Sequence, residues 1–154
     1  MSVVYVTGGE VAGRVLGLAA ELADAGWADR PEVTSPEDAA GQVVPVLAGA
    51  DREVSVALHL DRKHRLLAVD LVSVGAVANT FMSPREIFRA ALLSGAAAVV
   101  VAHNHPSGDP TPSTDDRQVA RRLSAAGELI GVEVLDSLVV AGDRWASLAR
   151  EGVI

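Results

Sequence analysis

Val99-Val100-Val101-Ala102-His103-Asn104-His105-Pro106-Ser107-Gly108-Asp109-Pro110-Thr111-Pro112-Ser113-Thr114-Asp115-Asp116 is the stretch around which the rest of the chain is organised. An apolar run ends on two histidines spaced i, i+2, and in an extended chain those two side chains share a face. Pro106, Gly108, Pro110 and Pro112 forbid a regular element directly after them. Ser113 then opens a helix with Asp116 in its first turn. A strand end, a stiffened loop and a returning helix N-terminus can bring two imidazoles and a carboxylate to one point. Two neutral imidazole nitrogens and one carboxylate oxygen suit Zn²⁺, and three protein ligands leave a fourth position for water. Ser113-x-x-Asp116 also reads as a capping box that needs no metal. The two readings are compatible, and both stand at this point.

The order His103-x-His105, Ser113, Asp116 resembles the metal signature of the JAMM (JAB, MPN+) metalloprotease superfamily. The string His-Asn-His-Pro-Ser-Gly is similar to its bacterial RadC branch. The resemblance runs over residues 34–154 and leaves residues 1–33 as a short strand–helix extension. It implies an α/β fold of the JAB/MPN (cytidine-deaminase-like) kind, a mixed central sheet flanked by helices. It implies Zn²⁺ on His103, His105 and Asp116, with Ser113 supporting the oxyanion and a glutamate from an upstream strand as general base and acid. The implied activity is that of a zinc metallopeptidase or isopeptidase, acting through metal-activated water on a peptide or protein such as a ubiquitin-like or conjugated tail. Two other readings stay open: a RadC-like accessory of DNA repair or recombination, and a metal-bound interaction module without turnover. One departure is visible: RadC-like chains commonly carry Asp-His late in the domain, and here the pair is Asp136-Ser137.

The base has four upstream candidates. Glu37 and Glu86 follow Ser-Pro and are accounted for by helix starts, and Glu10 lies outside the matching region. Glu53 heads a segment that alternates strictly, with Val54, Val56, Leu58 and Leu60 on one face and Ser55, Ala57, His59 and Asp61 on the other. Glu53 is therefore the expected base, on a strand expected to be half-buried. His59 lies six residues further on, roughly 20 Å at about 3.3 Å per residue, too far to share that site.

The composition bounds the rest. Hydrophobic residues make up 49% of the 154 with only 3% aromatic, so the core is aliphatic. No apolar run approaches the ~20 residues that span a bilayer, so no membrane partner is expected. Cysteine is absent, which excludes disulfides and thiolate metal sites and agrees with a reducing cytoplasm. The net charge of −7 disfavours direct binding to nucleic acid; Arg117, Arg121 and Arg122 read as a solvated helix face.

Other elements follow from periodicity and punctuation. Residues 3–6 read as a short strand, and 10–25 as a helix with Val11, Val15, Leu18 and Leu22 inward. Helices are expected from Ser35 to about Leu47, from a Ser83–Glu86 capping box to Gly95, and over residues 114–126, before Gly127. Strands are expected at 65–74, 96–102 (apolar on both faces, hence central), 132–140 and 144–148.

Overall fold

The computed structural model describes residues 8–75 and 82–154; the expected strand at 3–6 lies outside the described residues. Four helices, α1 (Gly8–Asp24), α2 (Pro36–Leu47), α3 (Pro84–Ser94) and α4 (Thr114–Ile130), flank one sheet. Its strands are β1 (Val54–Leu60), β2 (Leu66–Val74), β3 (Ala98–Asn104), β4 (Glu133–Ala141) and β5 (Arg144–Ser147). The spatial order is β2-β1-β3-β4-β5. β3 and β4 are parallel, and every other neighbouring pair is antiparallel. This is the mixed α/β architecture expected of the sequence.

The two faces of the sheet are covered by different helices. Val11, Val15 and Leu22 of α1 and Val43, Val46 and Leu47 of α2 pack on Val54, Val56, Leu58 and Leu60 of β1, with Val100 and Leu138 of the strands beyond. On the other face, Ile87, Phe88 and Ala91 of α3 and Val119 and Leu123 of α4 pack on Ala57, Val99 and Val101. β1 is therefore buried along its whole length and is not a half-buried strand. Its Ser55, Ala57 and His59 are small or polar, so alternation alone reads as solvent exposure, whereas α3 and α4 lie over them.

Helix ends differ from expectation in two places. Ser83 caps α3 by accepting the Glu86 N–H at 3.3 Å, but the Glu86 carboxylate turns to Arg89 at 3.1 Å, so the reciprocal half of the box is replaced by an ion pair one turn on. α4 runs on through Gly127 to Ile130 and is stopped by Gly131, whose φ of +83° is the left-handed conformation that favours glycine. Gly127 is needed for close approach instead: a Cβ there would lie 2.4 Å from the Val132 carbonyl oxygen.

Because β1 is antiparallel to β3, its first residue lies beside the last residues of β3, with Ser55 opposite His103. The loop after β3 leads straight into the N-terminus of α4. Three chain segments thus meet at one end of the sheet, the start of β1 lying fifty residues before the end of β3.

Candidate metal centre

β3 ends on His103 and Asn104, both buried, and His105 follows as the chain leaves the sheet. The His105 N–H still donates to the Val140 carbonyl at 2.8 Å, which holds the backbone in register with β4. His105 Nδ1 lies 2.9 Å from the Asp109 carbonyl oxygen. A carbonyl only accepts, so Nδ1 carries the hydrogen and Nε2 of the neutral ring is left with its lone pair. The Pro/Gly loop that supplies this carbonyl is held in turn by Arg144, which donates to the Gly108 carbonyl at 2.5 Å.

That nitrogen faces a second imidazole and a carboxylate. The Nε2 atoms of His103 and His105 are 3.3 Å apart. Asp116 Oδ1 lies 3.0 Å from His103 Nε2, and Asp116 Oδ2 lies 3.2 Å from His105 Nε2. Two ligands held about 2.0–2.1 Å from one tetrahedral ion stand about 3.3–3.4 Å apart; the three observed separations lie at or just below that. The residues present therefore fit a small cation.

Asp116 is both a cap and a member of this cluster. Its N–H donates to Ser113 Oγ at 3.0 Å, and its Oδ2 accepts the Ser113 N–H at 2.8 Å, a complete capping box. Burial by itself would raise the Asp116 carboxyl. The hydrogen bond and charge of His103, together with the Ser113 N–H and hydroxyl, outweigh it and hold the carboxyl well below the ordinary carboxylate range. Ser113 joins the cluster through this box, its side-chain oxygen accepting the Asp116 N–H.

Glu53 immediately precedes β1. Its carboxylate, His103 and His105 each offer an atom within 4.8 Å of the others, a group that could hold a metal ion. Two carboxylates thus converge on one imidazole pair in different settings. Asp116 is 5% exposed and locked. Glu53 is half-buried, and among the described residues its carboxylate forms no hydrogen bond. His59 is remote, as its spacing requires; its Nδ1 meets Ser94 Oγ at 2.7 Å beneath α3.

A cleft of about 370 Å³ opens beside His105, lined by Leu47, Ala50, Asn104, Pro106, Gly108 and Gly142. The late Asp136-Ser137 pair sits elsewhere, away from the cluster. Asp136 is buried and accepts from the Ser137 and Ala149 N–H groups and from the Ser147 hydroxyl, which ties the chain's end to β4. Two contributors were out of reach of sequence reasoning. The Asp109 carbonyl acts through its backbone and leaves no side-chain signal. Asn104 stands in plain view between the histidines, but its partners are fifty positions away.

Compared with known proteins, residues 33–153 match the family described as RadC-like JAB domain. A UPF0758 protein of Desulforudis audaxviator is 44% identical over 124 residues, covering 80% of this chain and 54% of that protein. One of Desulforamulus reducens is 41% identical over 122 residues, 79% of this chain and 54% of that protein. One of Geobacillus kaustophilus is 37% identical over 139 residues, 90% of this chain and 62% of that protein. The chain spans about half the length of the curated relatives it matches. Among the described residues, no helix is long and apolar enough to cross a membrane.

Proposed function

The chain belongs to the RadC-like JAB domain family, and on that premise we propose that it is a zinc-dependent hydrolase that cleaves a peptide or isopeptide bond. The observation that carries this reading is the His103–His105–Asp116 cluster, with the His105 tautomer set by the Asp109 carbonyl so that Nε2 is a ready ligand. His103, His105 and Asp116 hold the ion. Bound there, Zn²⁺ supplies a Lewis acid that makes water nucleophilic near neutral pH.

The chain's own residues divide the remaining work. Asp116, buried and fixed by the capping box, keeps its charge and position. Glu53, half-buried and without a hydrogen-bond partner among the described residues, is free to take a proton from the attacking water and return it to the leaving amine. Ser113 accepts the Asp116 N–H through Oγ, and its hydroxyl hydrogen turns from the Asp116 carboxylate to the tetrahedral oxyanion as that forms. The cleft beside His105 has room for the chain on one side of the scissile bond. The substrate is a peptide or protein, and the net charge of −7 argues against nucleic acid. The cysteine-free sequence fits work in the cytoplasm.

The test is elemental analysis of the purified protein followed by a screen of fused and isopeptide-linked substrates. About one zinc per chain is expected, the content of a single three-ligand site, together with cleavage that a chelator stops and Zn²⁺ restores. No transition metal bound even after zinc is supplied would refute the site. Bound metal with no cleavage across the screen would favour an interaction module.

A further inference from the structure

Asn104 is 4% exposed and points to the opposite face of β3 from the two histidines beside it in the chain. Its side-chain amide does not serve the ion. Oδ1 accepts the Val54 N–H at 2.7 Å, and Nδ2 donates to the Arg52 carbonyl at 3.0 Å. The partners dictate this orientation, since a backbone N–H can only donate and a carbonyl only accept. The amide therefore brackets one residue, Glu53, by gripping the backbone on each side of it.

The backbone cannot do this itself. The β1–β3 ladder begins at Ser55 opposite His103, one residue short of Val54. From the other side, the Gly75 N–H donates to the Glu53 carbonyl at 2.7 Å. Glu53 is thus held between the end of β2 and the side chain of Asn104, at the point where β1 leaves the sheet.

We propose that Asn104 is the positioning residue for Glu53, a clamp that ties the proton-transfer carboxylate to the strand that carries the metal-binding histidines. The inference rests on the hydrolase reading for Glu53's role, but the clamp itself is independent of turnover. Any shift of the strand end carrying His103 and His105 moves Asn104 with it, and Asn104 moves the backbone of Glu53. The spacing between the base and the imidazole pair is held constant by one side chain.

The test compares the parent chain with Asn104→Ala and Asn104→Asp. Aspartate keeps the size and the acceptor for the Val54 N–H but loses the donor to Arg52. Crystal structures of the metal-free proteins read the clamp directly: the Glu53 carboxylate should lie beyond hydrogen-bonding or water-bridging reach of the His nitrogens in Asn104→Ala and return part of the way in Asn104→Asp. Amide hydrogen exchange at Val54 should quicken in Asn104→Ala and recover in Asn104→Asp, and it remains readable if a variant does not crystallise. Co²⁺ affinity and its absorption spectrum should match the parent, because none of the three ligands is touched. With a cleaved substrate in hand, kcat should fall by about 10²-fold, the lower range for losing positioned proton transfer, with KM unchanged.

Glu53 left in place in Asn104→Ala, or Val54 exchange unaltered, would overturn the proposal. A parallel loss of Co²⁺ affinity would also overturn it, since it would make Asn104 a support of the histidines. A protein that cleaves nothing yet shows the Glu53 displacement would retain the clamp and lose the hydrolase reading, so the two failures are distinguishable.

Discussion

Replacing Asp116 by Asn separates its two duties. The capping duty survives, because one side-chain oxygen remains to accept the Ser113 N–H now held at 2.8 Å, and Ser113 Oγ still accepts the N–H of residue 116. The second side-chain atom, in the Oδ1 position, becomes an NH₂ group 3.0 Å from His103 Nε2, to which it donates when that imidazole is neutral with its hydrogen on Nδ1. The metal-free fold should therefore lose no more than about 1 kcal/mol, the ordinary scale of a cap, or about 2–4 °C in Tm for a chain of this size. Metal binding should respond very differently. Substitution of outer-shell partners of a metal site typically costs 10–100-fold in affinity, and loss of the only buried carboxylate among the three expected ligands should cost at least the upper end of that range. A ligand present at a hundred times its Kd stabilises the folded state by about 2.7 kcal/mol. A 100-fold weaker site forfeits nearly all of that, a loss of roughly 5–10 °C in the zinc-induced rise in Tm.

The assay is thermal unfolding with chelator and at fixed free zinc, with zinc affinity measured by competition against an indicator. Ser113→Ala is the control. It removes the acceptor for the Asp116 N–H and should lower the stability of the metal-free protein by about 0.5–2 kcal/mol, while keeping the zinc-induced shift. Equal zinc affinity in Asp116→Asn and the parent would show that Asp116 is only a cap. Two imidazoles would then be left with Glu53 as the sole available carboxylate among the described residues, and the division of roles proposed above would fail.

Three further outcomes are expected. Glu53→Gln should keep zinc within the parent's affinity and lose about 10²–10⁴-fold in kcat, the usual worth of a general base; full activity in this variant would discard Glu53 as the base. Burial under α3 lowers the pKa of His59 from its ordinary 6.5, against the attraction of Asp70. The unfolded chain therefore binds the proton more readily, so stability should be complete above pH 6.5 and fall as the pH drops below it, by up to about 1.4 kcal/mol per pH unit. His59→Leu should flatten that part of a Tm-against-pH curve, and an unchanged slope would remove His59 as its source. Gly127→Ala places a Cβ 2.4 Å from the Val132 carbonyl oxygen, where only backbone movement can relieve the clash. Denaturant unfolding should show a loss of about 1–3 kcal/mol, whereas a neutral result would mean that the α4–β4 connection yields easily.

Much of this protein is determined by local sequence alone. The helix starts at Ser35 and Ser83 and the strands that run into the histidines and Asp136 are legible because caps, proline placement and apolar runs act over a few residues. The spacing of His103, His105, Ser113 and Asp116 is legible for the same reason: one strand end, one loop and one helix turn carry all four. Tertiary structure alone decided what lies over a surface and what meets across the sheet. Ser55, Ala57 and His59 read as a solvent face because no property of β1 announces the helices above it. Gly127 reads as a stop, although the helix continues and the missing Cβ serves a neighbouring carbonyl. Glu53 could be chosen by resemblance and by eliminating its rivals, but its place beside the histidines follows from the antiparallel pairing of β1 with β3, and its hold on that place from the amide of Asn104. Hydrogen bonds between segments fifty residues apart leave no periodicity in the chain, because they depend on the register of strands and not on the spacing of residues within one.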